Sequence, residues 1–145
     1  MSVKPIIHDE LSLKFKSTLV TKQDLAAAED LKDTLIANNG KAAGLAANMI
    51  GVQKRIIALF VGPLPIVMLN PIIVKKADKY LAYEGCLSLE GERPTERYKK
   101  ITVKYQNENF ETRQQAFSDF VAEVIQHEVD HCNGILIKTM YFQKR

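Results

Sequence analysis

The chain has 145 residues, 46% of them hydrophobic and 26% charged, and a formal net charge of +3. This length predicts one compact domain with its own core, and a mild charge on scattered lysines excludes a protein devoted to direct nucleic-acid binding. The sequence contains no apolar run of signal-peptide or membrane-spanning kind, and its two cysteines predict reduced thiols. We therefore expect a soluble cytoplasmic protein without a membrane partner.

The N-terminal half predicts one helix followed by strands. Thr21 and Asp24 have the spacing of a capping box at a helix start. Apolar residues then recur with a helical period until the Asn-Gly pair at residues 39–40, which is typical of a left-handed helix end. Two β-rich runs follow at residues 56–61 and 66–74, and a proline in the second run should interrupt it.

The C-terminal half predicts a strand, a turn and a second helix. Apolar and polar residues alternate at 101–105, and residues 107–109 have the composition of a turn. A helix should begin near Ser118 or Asp119 and stop at the Asn-Gly pair that follows it, and residues 135–137 should form a last strand. The whole order predicts an α+β fold, with short, mostly antiparallel strands packed around the C-terminal helix and an N-terminal helix beside them.

The C-terminal helix carries the sequence His-Glu-Val-Asp-His. His127 and His131 stand one turn apart on one helix face, where two neutral imidazoles can share a divalent metal ion. Glu128 lies about 100° round the helix from His127, so it can reach a water on the metal without being a ligand. Phe120 and Val124 continue the histidine stripe, which predicts that this stripe faces inward. The opposite stripe is polar and should face solvent: Asp119, Glu123, Gln126, Asp130 and Asn133.

A metal held by two histidines needs a further protein ligand. No His, Asp or Glu follows His131, so this ligand must come from upstream. Residues 84–88, with the sequence Glu-Gly-Cys-Leu-Ser, supply the best candidate, because the Cys86 thiolate would complete a Cys-His-His set and leave one tetrahedral position for water. Cys132 lies about 100° round the helix from His131, and we interpret it as a small apolar core residue.

Three short motifs, in this order, resemble those of the peptide deformylases. The second family motif, E-G-C-L-S, is intact at residues 84–88. The third, Q-H-E-x-D-H followed by a glycine, is intact at residues 126–131. The first, G-x-G-L-A-A-x-Q, appears at residues 42–49 with alanine at its first position and Met49 in place of the glutamine. Two intact motifs with interlocking metal chemistry are highly specific.

The resemblance implies a single deformylase-like catalytic domain over residues 1–145, which removes the formyl group from the N-terminal methionine of new bacterial-type polypeptides. It implies one divalent ion on Cys86, His127 and His131, natively iron(II), with zinc, nickel or cobalt as substitutes. Glu128 would take a proton from the metal's water as hydroxide attacks the formyl carbon, and would return it to the departing amine. The expected partners are N-formylated nascent peptides, with the ribosome as a further candidate.

The same resemblance implies the remaining site residues. The backbone N–H of Leu87 would donate to the oxyanion, and Gly44 would let the substrate backbone approach closely and lie alongside as an added strand. Leu45, Met49 and Gly85 would contact the substrate. Because a thioether cannot donate a hydrogen bond, Met49 predicts weakened or shifted activity.

Three polar residues near the motifs have two interpretations each. Asp130 is a surface charge by periodicity and a partner of Arg97 by family pattern. Glu84 is either a reactive-loop acid or half of an ion pair that holds the fold. Asn48 is the carboxamide nearest to Met49, but a shift of one residue should turn its side chain elsewhere rather than restore the lost donor.

Two other functions remain open beside deformylation. An endopeptidase is one, because zinc proteases share the H-E-x-x-H sequence; the missing downstream ligand and the E-G-C-L-S motif count against it. A non-catalytic paralogue that keeps the metal as a structural staple or binds peptide N-termini is the other. The retention of Glu128 beside the metal counts against that alternative.

Overall fold

The computed structural model describes residues 2–6, 16–86 and 89–135, and this part of the chain contains two α-helices and five β-strands. In chain order they are α1 (Leu25–Ala37), β1 (Gly44–Ala46), β2 (Ile56–Val61), β3 (Leu64–Cys86), β4 (Leu89–Gln106), β5 (Thr112–Ser118) and α2 (Asp119–Cys132). The predicted α+β fold is confirmed.

The first helix begins where its cap is predicted. The backbone N–H of Thr21 donates to the Asp24 carboxylate at 2.9 Å, and a 3-10 helix at Lys22–Asp24 leads directly into α1. The helix buries Ala28, Leu31 and Leu35 against β2 and β3. The Asn-Gly pair after α1 supplies the expected left-handed residue, a glycine with φ of +90°.

The sheet is an antiparallel meander. Its order is β1-β2-β3-β4-β5, so every strand pairs with its neighbours in the sequence. β3 extends well beyond the predicted run at 66–74 and forms a long hairpin with β4. The proline expected to interrupt that run, Pro71, lies instead within the strand, where the pairing register shifts between Leu69 and Ile72. Such an irregularity accommodates a residue that has no N–H for the ladder.

The core lies between one face of the sheet and the two helices. α2 packs across β1, β2 and β4. The largest fully buried side chains come from both helices, all of the first four strands and the turn after β1: Leu31, Leu35, Leu45, Met49, Ile56, Ile57, Leu59, Met68, Leu69, Val103 and Ile125. Neither helix in the described part of the chain has both the length and the apolar character needed to cross a bilayer.

The second helix starts and stops as predicted, but its stripes need two corrections. Phe120, predicted to face inward, is 62% exposed, and Gln126, predicted to face solvent, is 5% exposed. Helical periodicity identifies residues on one side of a helix, but it does not say how far along the helix the core extends. Of the strand predicted at 135–137, Ile135 is outside any strand and the other two residues lie outside the described part.

Candidate metal and catalytic site

The two histidines of α2 lie close together in the protein interior. His127 is 6% exposed and His131 is 3% exposed, and their ring centroids are 5.2 Å apart. One potential ligand atom from each histidine and one from Glu128 all lie within 4.8 Å of one another. Burial lowers the pKa of His131 to about 3, so this imidazole is neutral and retains the lone pair that a metal requires.

A buried carboxylate from the sheet fixes the orientation of His127. Nδ1 of His127 is 2.9 Å from Oε1 of Glu84, near the end of β3. Because an ionised carboxylate can only accept, Nδ1 carries the proton and Nε2 is the lone-pair nitrogen of the neutral ring. This pairing of histidine with carboxylate is typical of metal-binding histidines, whose tautomer and direction it sets.

Arg97 connects that carboxylate to the metal-binding helix. Its Nε and Nη2 donate to Glu84 at 2.7–3.1 Å, and its Nη1 donates to Asp130 at 2.6 Å. Burial alone would raise the pKa of Glu84, but hydrogen bonds from His127 and Arg97 and the positive charge of Arg97 lower it to about 2. Asp130 is therefore the partner of Arg97, and Glu84 belongs to a buried ion pair that also orients a histidine.

Glu128 lies in the same interior space with little room beside it. It is 4% exposed, and burial is the main cause that raises its pKa to about 7. On the side of β1, a methyl group at Gly44 would lie 2.7 Å from Cγ1 of Val124 and 3.2 Å from Cγ of Glu128. The close approach that Gly44 permits in this structure is therefore that of helix α2.

The motif-one turn is the 3-10 helix Ala47–Ile50, which follows β1. It contains Met49, which stands in place of the motif glutamine, and Asn48, the neighbouring carboxamide. Met49 is 1% exposed, and its Sδ accepts a hydrogen bond from the backbone N–H of Ala46 at 3.4 Å. Asn48 is also 1% exposed, and its Nδ2 donates to the backbone carbonyl of His131 at 2.7 Å. The Asn48 amide nitrogen is therefore engaged with the backbone of α2.

The second motif lies where β3 turns into β4. Gly85 and Cys86 are the last two residues of β3, and the backbone of Cys86 is paired with Leu89. The Cys86 side chain and the whole of Leu87 lie outside the described part of the chain. The other thiol, Cys132, is fully buried, and burial raises its pKa to about 12. Cys132 is thus an unreactive core residue, as interpreted from the sequence.

Sequence reasoning missed one structural contact beside the site. The side chain of Gln126 accepts from the backbone N–H of Tyr98 at 2.9 Å and donates to the Tyr98 carbonyl at 2.8 Å, which ties α2 to β4. Its position immediately before the first histidine of an intact motif was the only signal in the sequence, because a glutamine on a polar stripe otherwise indicates a surface residue.

The residues present fit a bound divalent ion. Oε1 of Glu128 and Nδ1 of His131 are buried, and neither has a hydrogen-bond partner among the described residues. Buried polar atoms of this kind are rare in folded proteins unless an ion or an ordered water completes them. Together with the oriented ring of His127, the arrangement offers nitrogen ligands on one side and a carboxylate able to take a proton on the other.

Comparison with protein families gives a match over nearly the whole chain. The family described as polypeptide deformylase matches residues 4–144. A peptide deformylase of Clostridium beijerinckii is 50% identical over 135 residues, covering 93% of this chain and 99% of that protein. A peptide deformylase of Pseudothermotoga lettingae is 43% identical over 129 residues, covering 86% of this chain and 74% of that protein.

Solved structures agree with the sequence relatives. The class I type b peptide deformylase of Acinetobacter baumannii with bound Met-Ala-Ser has a TM-score of 0.86 and 30% identity, and the match covers 97% of this chain and 100% of that one. The peptide deformylase of Thermotoga maritima has a TM-score of 0.85 and 30% identity, with 99% of each chain covered.

Proposed function

The chain belongs to the polypeptide deformylase family and is a metal-dependent hydrolase of that kind; from this premise we propose that it removes the formyl group from formyl-methionyl peptides of newly made proteins. The observation that supports this reaction most directly is the buried group of His127, Glu128 and His131 on α2. This group combines two imidazoles that can bind a metal ion with a carboxylate in the same buried space.

We assign the ion to Cys86, His127 and His131, with iron(II) as the native metal. When bound, the ion supplies Lewis acidity and makes water acidic enough to lose a proton near neutral pH. Glu84 keeps His127 in the tautomer that offers Nε2, and Arg97 keeps Glu84 ionised. The protein thus fixes one imidazole through two successive hydrogen-bonded partners before any ion binds.

Glu128 is the proposed proton carrier. Its carboxylate is within 4.8 Å of the ligand atoms of both histidines, and its Oε1 has no hydrogen-bond partner among the described residues. It can therefore accept a proton from water as the formyl carbon is attacked, and then deliver that proton to the departing amine nitrogen.

The free edge of β1 is the proposed substrate edge. β1 pairs with β2 only, and the N–H of Phe60 donates to the carbonyl of Ala43 just before β1. By the alternation of an antiparallel ladder, the N–H and C=O of Gly44 point the other way, to the edge that has no neighbouring strand in the described sheet. A peptide added there would run beside Glu128, which packs against Gly44.

We further propose that Met49 makes the activity on ordinary formyl-methionyl peptides weaker than is usual, or shifts it towards bulkier acyl groups. The Leu87 N–H and the metal would remain to stabilise the oxyanion, but the side-chain donor is lost. Removing one oxyanion donor typically costs about 10²–10³ in rate. Met49→Gln, compared with the parent at matched metal content, should raise turnover tenfold or more; no change beside an already fast parent would contradict this part of the proposal.

The decisive test of the reaction compares three substrates in parallel: formyl-methionyl peptides, the same peptides acetylated, and casein. Hydrolysis of the formyl peptides alone is expected. Cleavage of casein would favour an endopeptidase, and binding of the peptides without turnover of any substrate would favour a non-catalytic paralogue.

The proposed partners are nascent peptides in the cytoplasm, with the ribosome as a further candidate. The related Acinetobacter baumannii enzyme has been crystallised with Met-Ala-Ser, a tripeptide that begins with methionine. Co-sedimentation of the purified protein with ribosomes would test the second partner, and recovery of all the protein in the supernatant would exclude it.

A further inference from the structure

Asn48 forms a direct link between the motif-one turn and the metal-binding helix. Its side chain is 1% exposed, and its Nδ2 donates to the backbone carbonyl of His131 at 2.7 Å. The two residues are 83 positions apart in the chain, so this bond joins two separate parts of the fold. Its acceptor belongs to a residue proposed as a metal ligand.

The His131 carbonyl is one that α2 cannot satisfy within its own regular hydrogen-bond ladder. It lies in the last turn, where carbonyls have no amide four residues ahead inside the helix. The carbonyl accepts from Gly134 at 3.0 Å on the side of the helix end and from Asn48 on the side of the motif-one turn. The backbone that carries the second imidazole is therefore held from two directions.

The same turn positions the residue at the proposed oxyanion wall. Met49 follows Asn48 directly, and its Sδ accepts from the N–H of Ala46 at the end of β1. A thioether sulfur is a weak acceptor, so the amide of Asn48 is the stronger side-chain anchor of this turn. A single side chain thus connects the segment beside the substrate edge to the His131 backbone.

We propose that Asn48 is a positioning residue of the metal site, which acts by fixing the His131 backbone and the motif-one turn relative to each other. The inference deepens the proposed function by adding a residue to that same site. It requires that His131 binds the ion, but not that the substrate is a formyl peptide. Residues that orient metal ligands in this indirect way typically change metal affinity by about 10–100-fold when they are replaced.

The test uses Asn48→Asp, which keeps the size of the side chain and removes the donor. Asn70→Asp is the matched control, because the Asn70 amide group donates to Gln106 and Val20, and its Oδ1 accepts from Val20. Each protein is loaded with cobalt(II), which serves as the probe. The dissociation constant is measured by chelator competition, the visible absorption spectrum is recorded, and the thermal midpoint of the metal-free form is determined.

Asn48→Asp should weaken cobalt(II) binding at least tenfold and change the visible spectrum, whereas Asn70→Asp should lower only the thermal midpoint. Asn48→Ser, shorter and uncharged, should reproduce the loss of affinity and excludes an effect of the new carboxylate. Unchanged affinity and spectrum in both Asn48 variants would overturn the proposal. Neither readout uses a peptide, so failure of the proposed reaction in the substrate assays is a separate result.

Discussion

Glu128 is the acid-base group on which the proposed reaction depends. Glu128→Gln keeps the volume of the side chain but removes the proton acceptor, so turnover of formyl peptides should fall by about 100-fold or more. Metal content and the thermal midpoint should be retained, since the proposed ligands are untouched. Asp119→Asn makes the same chemical change at the exposed start of α2 and should leave turnover unchanged. Equal rates for Glu128→Gln and the parent would show that another group carries the proton.

Gly44 is the second residue with a sharp prediction. In Gly44→Ala the new methyl group would lie 2.7 Å from Cγ1 of Val124, a distance that forces the helix or the strand to move. Overpacking of this kind typically costs about 1–3 kcal/mol of unfolding free energy. The methyl group would also lie 3.2 Å from the Ala58 carbonyl oxygen and 3.2 Å from Cγ of Glu128, so turnover should fall as well.

Two comparisons separate these effects of Gly44→Ala. Adding Val124→Ala removes the closest clash and should recover most of the lost stability. Gly62→Ala introduces a side chain at φ +60° with open space around it, so it should cost stability through backbone strain alone and leave turnover intact. If both glycine variants reduce turnover equally, the contact with Glu128 is not responsible.

Among single residues, the sequence predicted those side-chain positions that follow from helix geometry. The spacing of His127 and His131 on one helix is enough to place both imidazoles on one face, and the structure has them there. The pairing of Arg97 with Glu84 depends on the register between β3 and β4, which places Glu84 opposite Arg93 and Tyr80 opposite Arg97. The Arg97 side chain then extends along the hairpin to reach Glu84, and no local pattern in the sequence predicts this contact.

At the scale of elements, Arg97 ties the hairpin of β3 and β4 to α2. Arg97→Met would leave Glu84 as a buried carboxylate without its main positive partner, which typically costs about 3–5 kcal/mol. The pKa of Glu84 is now below its ordinary value, so its ionised form stabilises the fold above about pH 4.5 and this contribution is lost as the pH falls towards 2. Without Arg97 that pKa rises, and acid unfolding should begin at a higher pH.

The measurement for Arg97→Met is denaturant unfolding at neutral pH together with an acid titration followed by circular dichroism. Lys79→Met is the control, because Lys79 forms an exposed ion pair with Glu96 at 3.2 Å, and such pairs contribute little. An acid midpoint for Arg97→Met that coincides with that of Lys79→Met would contradict the role given to Arg97.

The elements themselves were largely predictable, but their arrangement was not. Caps and helical periods identified both helices, since these signals are local. The predicted strand at 56–61 coincides with β2, whereas β3 continues through lysine-rich sequence that has no alternating pattern. Its strand character comes from pairing with β4, so it is a tertiary effect that propensity could not show.

For the whole molecule, metal binding should contribute directly to stability. Removing the ion with a chelator should lower the thermal midpoint, and restoring zinc or iron(II) should reverse the change; free metal at one hundred times its dissociation constant corresponds to about 2.7 kcal/mol. Cys86→Ala should abolish both the bound equivalent of metal and this response. Elemental analysis of protein purified without oxygen checks the first outcome, and a full equivalent in Cys86→Ala would refute the ligand assignment.

The meander order of the sheet has a consequence for how the protein is made. Each strand pairs with the strand next to it in the sequence, so the sheet can form strand by strand during synthesis. Helix α2 follows the five strands of the described sheet and supplies Glu128, His127 and His131. The sheet and Cys86 are therefore made first, and the two histidine ligands and the proton carrier are made last. A chain interrupted before α2 would contain the strands but neither histidine, so unfinished molecules would not compete with finished ones for scarce metal ions.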